Sequence, residues 1–213
     1  MSSDSKKTRT LVVKYIPRGE RSNTKKVLDR LKSNIKNSKI TEIDLATDTP
    51  DMFLNDNLMA YIQRDYLGEE LTSEQKKLLT KMDSMIEQVK SADNVILAYP
   101  MFNFSMPAVV KAWFDSIMLK GHTWDKGDGS YVGLMKGKKA LTIVASGASY
   151  SSGPMKPWEH SLSLAIAEFQ FMGFSEVKGI LAEGMNSNEE TKSNSLARAF
   201  NDADKISKEW YGE

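Results

Sequence analysis

The sequence predicts an α/β protein with a doubly wound, five-stranded parallel sheet and helices on both faces. Short β-branched runs alternate along the chain with longer segments of helical periodicity. Two of the runs, residues 94–100 and 138–146, are apolar enough to be central strands that helices cover on both faces. Parallel strands need long crossover connections, and the helical segments supply them.

The first half of the chain begins with a strand-helix-strand unit. TRTLVVKYI predicts a strand over 8–16, residues 24–35 place apolar side chains at helical spacing, and KITEIDL predicts a strand over 39–45. Residues 46–71 break this rhythm, because turn residues surround large apolar side chains, and we expect one short helix there. The following TSEQ predicts a capping box at the start of a long amphipathic helix that ends near Ala92.

The second half repeats the alternation. Between the two central strands, Pro107 stands at a helix start, where proline is tolerated, and apolar residues continue at helical spacing to residue 117. A helix over 158–173, a strand over 175–183 and a helix over 188–211 complete the pattern. In doubly wound sheets, ligands bind beyond the carboxyl ends of the strands. Three loops lie there: the first loop (15–24), the second loop (99–107) and the third loop (145–154).

The composition limits the class of protein. With 213 residues, 40% hydrophobic and 27% charged, we expect one domain over residues 1–213, with 1–8 as a flexible tail. The 29 basic and 28 acidic residues nearly cancel, so neither nucleic acid nor a membrane is expected as a partner. The sequence has no cysteine, no signal-peptide pattern and no apolar run of about 20 residues, which favours a cytoplasmic protein.

The first loop, YIPRGERSNT, has features of a phosphate site. Ser22, Asn23 and Thr24 place hydroxyls and backbone N–H groups at a helix N-terminus, where phosphate binds readily. Arg18 adds a guanidinium group that matches phosphate oxygens. Helix capping alone also explains the two hydroxyls, and the loop has neither a P-loop nor a dinucleotide motif. Both interpretations stay open at this point.

The second and third loops predict two walls for a flat ligand. The candidates in the second loop are apolar apart from one amide: Met101, Phe102, Asn103 and Phe104. The candidates in the third loop have small side chains, so that a ring can approach the backbone: Ala145, Ser146, Gly147 and Ala148. Ordinary core packing is the alternative for the two phenylalanines, and a flexible surface turn is the alternative for the third loop. A phosphate end beside two such walls matches the shape of flavin mononucleotide (FMN).

Four segments carry a resemblance to a known family. PMFNFSMPAVVKAWFD, GHTW, GLMKGKKALTIVASGASY and FMGFSEVKGILAEG resemble the FMN-dependent NADH azoreductases and quinone reductases of flavodoxin-like fold. The resemblance covers most of residues 10–184, and its most specific element is the PMFNF motif that starts at Pro100. Where the family usually has a serine, this chain has Ile16 or Pro17, and the often aromatic position beyond GHTW is Lys126.

The resemblance implies an FMN-dependent NAD(P)H:quinone oxidoreductase or NADH azoreductase of flavodoxin-like fold. Hydride would pass from NADH or NADPH to the flavin, and two electrons would then pass to a quinone or azo compound in ping-pong order. The chemistry belongs to the flavin, so no catalytic side chain is expected. By position, the resemblance places residues 22–24 at the phosphate, with Arg18 beside them, and residues 101–104 and 145–148 at the ring.

The resemblance also implies a homodimer with two shared active sites. The apolar side chains of 46–71, together with Trp113 and Ile117, predict the two-fold interface. A shared site needs further walls for small aromatic acceptors, which stack on flat apolar side chains. The expected walls are Phe53, Trp124 and Tyr150.

A flavodoxin-type electron carrier that docks a protein partner is the alternative to an enzyme. The first loop lacks the threonine-rich form of flavodoxins, and the composition is not strongly acidic, so the enzyme is favoured. His122 and His160 are the two histidines of the chain, and neither has acidic partners at helical metal-binding spacing. No metal site is therefore expected.

Overall fold

A computed structural model describes residues 7–212 of the chain. Within that range the strands are β1 (Thr8–Lys14), β2 (Ser38–Asp44), β3 (Asn94–Pro100), β4 (Trp124–Lys126), β5 (Tyr131–Gly133), β6 (Lys139–Ala145) and β7 (Glu176–Ala182). Five of them form one parallel sheet in the order β2-β1-β3-β6-β7, and β4 pairs with β5 in an antiparallel hairpin. The predicted doubly wound five-stranded sheet is confirmed.

The helices lie between successive strands of the sheet, except for the last helix, which follows β7. They are α1 (Asn23–Ser33), α2 (Asn55–Tyr61), α3 (Ser73–Ser91), α4 (Ala108–Ile117), α5 (Leu162–Phe171) and α6 (Glu189–Tyr211). A π-helical turn, Ile62–Tyr66, extends α2. The predicted capping box of α3 is confirmed, because Thr72 Oγ1 accepts a hydrogen bond from Gln75 N (3.2 Å) and Gln75 Oε1 accepts one from Thr72 N (2.9 Å).

The sheet has a hydrophobic layer on each face because successive strand residues point to opposite sides. In β1, Val12 packs in the layer formed with α1 and α6, whereas Leu11 and Val13 pack in the layer formed with α3, α4 and α5. In β3, Ile96 and Leu97 follow the same alternation. Helices therefore cover both faces, as the apolar runs of the central strands predicted.

Two local predictions differ from the structure. The helix predicted to start at residue 158 starts at Leu162, because Glu159 is extended (ψ = 95°) after the 3-10 turn Gly153–Trp158. The Glu159 carboxylate accepts hydrogen bonds from the N–H groups of Ser161, Leu162 and Ser163 and so caps the first turn of α5. The predicted tail, residues 1–8, falls mainly outside the described residues, and Thr8 itself begins β1 and pairs with Ser38. Among residues 7–212, no helix combines the length and the apolar character that crossing a membrane would require.

The prediction that Trp113 and Ile117 contribute to a two-fold interface is wrong. Both side chains have 0% exposure. The Trp113 ring lies 5.0 Å from the ring of Phe114 and 6.2 Å from that of Phe169, centroid to centroid, inside the core. A fully buried side chain has no surface to offer to a second copy of the chain.

Large apolar side chains of the segment before α3 are, in contrast, exposed. We call them the α2 patch: Met52, Leu54, Leu58, Met59, Tyr66 and Leu67. Leu54 is 67% exposed, and Phe53, its neighbour in sequence, packs inward against Tyr61. The α2 patch is thus a surface feature, separate from the core that Trp113 belongs to.

Candidate cofactor-binding site

Three neighbouring strands end at the same level of the sheet. Pro100 of β3 pairs with Ala145 of β6, which in turn pairs with Ala182 of β7. Beyond these residues, Met101 N donates to the carbonyl of Ala145 and Ser146 N donates to the carbonyl of Ala182, each at 2.9 Å. The loops that follow β3, β6 and β7 therefore start side by side, and the first loop, after β1, lies at the same carboxyl edge.

A cleft of about 570 Å³, counting the part open to solvent, lies at this edge. We call it the carboxyl-edge cleft, and its lining residues are Arg18, Ser22, Asn23, Thr24, Pro100, Met101, Phe102, Ala145, Ser146, Gly147, Met185 and Asn186. All but three of the cofactor-binding residues predicted from the sequence line this cleft, and the exceptions are Asn103, Phe104 and Ala148.

The α1 N-terminus provides one end of the cleft. Ser22 caps α1, since its Oγ accepts a hydrogen bond from Lys25 N (3.3 Å), and its hydroxyl proton is still free to be donated. Thr24 is fully buried, and its Oγ1 has no hydrogen-bond partner within residues 7–212. A buried unpaired hydroxyl costs about 1–3 kcal/mol, so this position calls for a ligand oxygen. The unpaired N–H groups of the first helical turn favour an anionic ligand there.

The second loop is a tight turn with strained backbone. Phe102 N donates to the carbonyl of Ser105 (2.9 Å) and Ser105 N donates to that of Phe102 (3.0 Å). Between them, Asn103 has φ = 46° and Phe104 has φ = 71°, which is the pattern of a type I′ turn. A phenylalanine in the left-handed region is a strained residue of the kind that clusters at ligand-binding loops. His160 N holds it there by donating to the Phe104 carbonyl at 3.0 Å.

The two phenylalanines of the second loop are surface residues. Phe102 is 44% exposed and Phe104 is 39% exposed, so the core-packing alternative is wrong for both. The Phe102 ring lies 6.1 Å from that of Tyr15, edge to face, while Phe104 packs against Trp158 with centroids 5.3 Å apart. The turn thus presents one aromatic side chain to the cleft and anchors the other beside it.

None of the three expected acceptor-pocket residues lines the carboxyl-edge cleft. Phe53 packs against Tyr61 of α2. Trp124 begins β4 and is 9% exposed, because its ring packs against those of Tyr131 and Phe171. Tyr150 lies nearest to the site, because its ring centroid is 6.3 Å from that of Phe104.

Sequence reasoning missed Met185 and Asn186, which belong to the loop that follows β7. Met185 N donates to the Ser146 carbonyl (3.0 Å) and Asn186 N donates to the Gly147 carbonyl (2.9 Å). These bonds hold the third loop in place, which argues against the flexible-turn alternative. The predicted strand over 175–183 was the available signal, because it puts one more loop at the same sheet edge.

Outside the cleft, one buried carboxyl group has an altered pKa. Burial raises the pKa of Glu168 to about 7, although Lys111, whose Nζ lies 3.5 Å from Oε1, acts in the opposite direction. Glu168 lies on α5 and faces α4. It affects stability and not the cleft.

Glu168 makes the stability of the protein depend on pH. Its pKa is higher in the folded state than the ordinary value of 4.5, so its contribution is complete below pH 4.5 and is lost as the pH rises through about 7. Glu168→Gln stays uncharged at every pH. The difference in unfolding free energy between this variant and the parent should therefore increase by about 3 kcal/mol in favour of the variant between pH 4.5 and pH 8. Urea unfolding at pH 4.5 and pH 8 measures this gain. The exposed Glu87→Gln variant is the control, and an equal difference between Glu168→Gln and the parent at both pH values would contradict the prediction.

Metal-ligating side chains form no group of three or more in the described part of the chain. His122 lies 3.3 Å from a carboxylate oxygen of Asp65, which also pairs with Arg64 at 2.7 Å. This histidine therefore lies in a local polar cluster with Asp65 and Arg64.

Comparisons with known proteins agree with the fold described above. A family model described as flavodoxin-like fold matches residues 8–206. The chain is 32% identical over 180 residues to an FMN-dependent NADH:quinone oxidoreductase of Beijerinckia indica subsp. indica, which covers 83% of this chain and 88% of the relative. It is 30% identical over 192 residues to a protein of the same description from Vibrio parahaemolyticus, covering 90% and 95%.

A solved structure is also similar. The FMN-dependent NADH-azoreductase from Bacillus anthracis str. Ames Ancestor, in complex with FMN, superimposes with a TM-score of 0.82. The two chains are 27% identical, and the match covers 94% of this chain and 99% of the azoreductase.

Proposed function

This chain belongs to the family of flavodoxin-like fold that includes the FMN-dependent NADH:quinone oxidoreductases, and from this premise we propose that its FMN occupies the carboxyl-edge cleft. The protein is an FMN-dependent oxidoreductase that uses NADH as donor and quinones as acceptors. The observation that carries the placement is the buried Thr24 hydroxyl, which has no partner in residues 7–212 and lies at a helix N-terminus in the cleft. Bound FMN supplies the chemistry, because its ring accepts two electrons from NADH and gives them to an acceptor.

The phosphate of FMN fits the α1 end of the cleft. Ser22 and Thr24 have hydroxyl protons to donate, and the first-turn N–H groups, which include that of Asn23, point to the same place. The exposed Arg18 guanidinium lines the cleft and balances the phosphate charge.

The flavin ring fits between the second and third loops. Met101 and Phe102 supply apolar contact on one side, and on the other side the small residues 145–147 let the ring approach the backbone closely. Asn103, at the tip of the turn, orients the ring by hydrogen bonding, and Phe104 fixes the turn. No side chain is assigned a proton transfer, so the residues bind, orient and exclude water.

The acceptor pocket is completed by a second copy of the chain. The α2 patch is an exposed apolar surface of the kind that partners cover, and homodimers commonly use such surfaces. Phe53 is adjacent to this patch, and Tyr150 is adjacent to Phe104. Together with Trp124, these residues form the walls of the acceptor pocket. Such walls bind small flat aromatic molecules by stacking and discriminate only weakly among them. NADH and acceptor then use one site in turn, which is the ping-pong order, and NADH as donor supports a cytoplasmic location.

The test of this function is FMN-dependent oxidation of NADH by the purified protein in the presence of a quinone. We expect turnover with FMN and little turnover with riboflavin at the same concentration, because riboflavin lacks the phosphate that the α1 end binds. A flavodoxin-type electron carrier would bind FMN without oxidising NADH, and that result would reject the enzyme. Azo dyes are expected to be slower acceptors than quinones.

A further inference from the structure

Gly147 in the third loop leaves room for one specific neighbour. A Cβ atom built on Gly147 would lie 2.5 Å from Nδ2, 3.1 Å from Cγ and 3.8 Å from Cβ of Asn186. These are the three nearest heavy atoms, so the space that the glycine leaves is filled by the Asn186 side chain. Both residues line the carboxyl-edge cleft.

The glycine is required for this contact and not for its backbone conformation. The glycines with positive φ in the described residues do not include Gly147, so an alanine there would have an ordinary backbone. The backbone at the contact is held in place, because Asn186 N donates to the Gly147 carbonyl (2.9 Å) and Met185 N donates to the Ser146 carbonyl (3.0 Å). An added Cβ would therefore displace the Asn186 side chain before it displaced the loop.

Asn186 belongs to a different loop from Ser22 and Thr24, although all three line the carboxyl-edge cleft. Asn186 follows β7, and two strands, β3 and β6, lie between β7 and β1. The α1 end already has Ser22, Thr24 and Arg18 for the charged phosphate, whereas a neutral amide suits neutral hydroxyl, N–H and carbonyl groups.

We infer that the Asn186 amide hydrogen-bonds the uncharged part of FMN, its ribityl hydroxyls or the polar edge of its ring, and that Gly147 is the positioning residue for this amide. The inference rests on the proposed placement of FMN in the cleft. It assigns a role in flavin recognition to the loop after β7. It also gives Gly147 a second role, positioning the Asn186 side chain, in addition to letting the ring approach the backbone.

The experiment is a double-mutant cycle on flavin affinity. The full chain is freed of flavin and titrated with FMN and with riboflavin, and quenching of flavin fluorescence reports binding without any turnover. Asn186→Ala should weaken both flavins by about two- to tenfold, the effect of one neutral hydrogen bond. Gly147→Ala should weaken both by a similar factor, and the double variant should be no weaker than Asn186→Ala alone.

Two further variants sharpen the result. Asn186→Gln keeps the amide on a longer side chain and should recover part of the affinity, which a purely structural role would not predict. Asn201→Ala, on the exposed side of α6, removes an amide far from the cleft and should bind both flavins like the parent.

Four outcomes would overturn the inference or its premise. A loss for FMN alone would assign Asn186 to the phosphate. Losses that add in the double variant would show that Gly147 acts independently of Asn186. A parent protein that binds no FMN would reject the proposed placement itself, whereas normal FMN binding by both the parent and Asn186→Ala would reject only the role of Asn186.

Discussion

Replacing Ser22 and Thr24 together by alanine should weaken FMN binding by about a hundredfold or more. Each hydroxyl is positioned to donate a charge-assisted hydrogen bond worth about 1.5–3 kcal/mol, and two such bonds correspond to at least that change in affinity. Thr24 is the more informative of the two residues, because its buried Oγ1 has no hydrogen-bond partner in residues 7–212. Riboflavin, which has no phosphate, should be affected much less. Equilibrium titration with both flavins measures the difference.

Helix capping must be separated from phosphate binding, since Ser22 also caps α1. Thr72→Ala is the matched control, because it removes the N-cap of α3 at a comparable loss of about 0.5–2 kcal/mol of stability but far from the cleft in sequence and fold. This control should bind FMN like the parent. If the Ser22→Ala/Thr24→Ala variant also binds FMN like the parent, the phosphate does not lie at the α1 end.

Replacing Trp113 by alanine should lower the free energy of unfolding by about 3–5 kcal/mol. The side chain is fully buried, and its removal leaves a cavity lined by aromatic rings, including those of Phe114 and Phe169. Urea unfolding at a fixed protein concentration measures this loss. The result distinguishes a core residue from an interface residue.

The matched control for Trp113→Ala is Leu54→Ser, on the α2 patch. Leu54 is 67% exposed, so its replacement should leave the folded chain intact. If the α2 patch forms the proposed dimer interface, the same replacement should shift sedimentation toward the monomer. The opposite pattern, in which Trp113→Ala retains parental stability but becomes monomeric, would contradict the assignment of Trp113 to the core.

The fold was predictable because its signals are local. Apolar runs at 94–100 and 138–146 and helical spacing in the segments between strands are sufficient to specify the alternation of strands and helices. The β4–β5 hairpin was missed because its strands have three residues each, too few to show alternation. The late start of α5 was missed because the extended backbone at Glu159, whose carboxylate caps the first turn of α5, leaves no trace in the apolar spacing.

The site residues could be predicted only in loops that directly follow strands recognised in the sequence. The first three loops follow strands recognised in the sequence, so most of their predicted residues line the cleft. Asn186 could not be assigned in the same way, because its contact with Gly147 depends on β7 pairing with β6, which periodicity does not reveal. For the same reason, an apolar helix face could not indicate whether Trp113 packs on the sheet or on a second chain.

The most direct test of the account is an anaerobic titration of the purified, FMN-loaded protein, followed by its visible spectrum. NADH added without an acceptor should bleach the flavin absorption near-stoichiometrically, and a quinone added afterwards should restore it. The Ser22→Ala/Thr24→Ala variant should release its FMN during dialysis and lose both responses. A parent protein whose bound flavin is not bleached by NADH, or is bleached only when the quinone is also present, would contradict the central claim that FMN in the carboxyl-edge cleft takes electrons from NADH and then passes them to the acceptor.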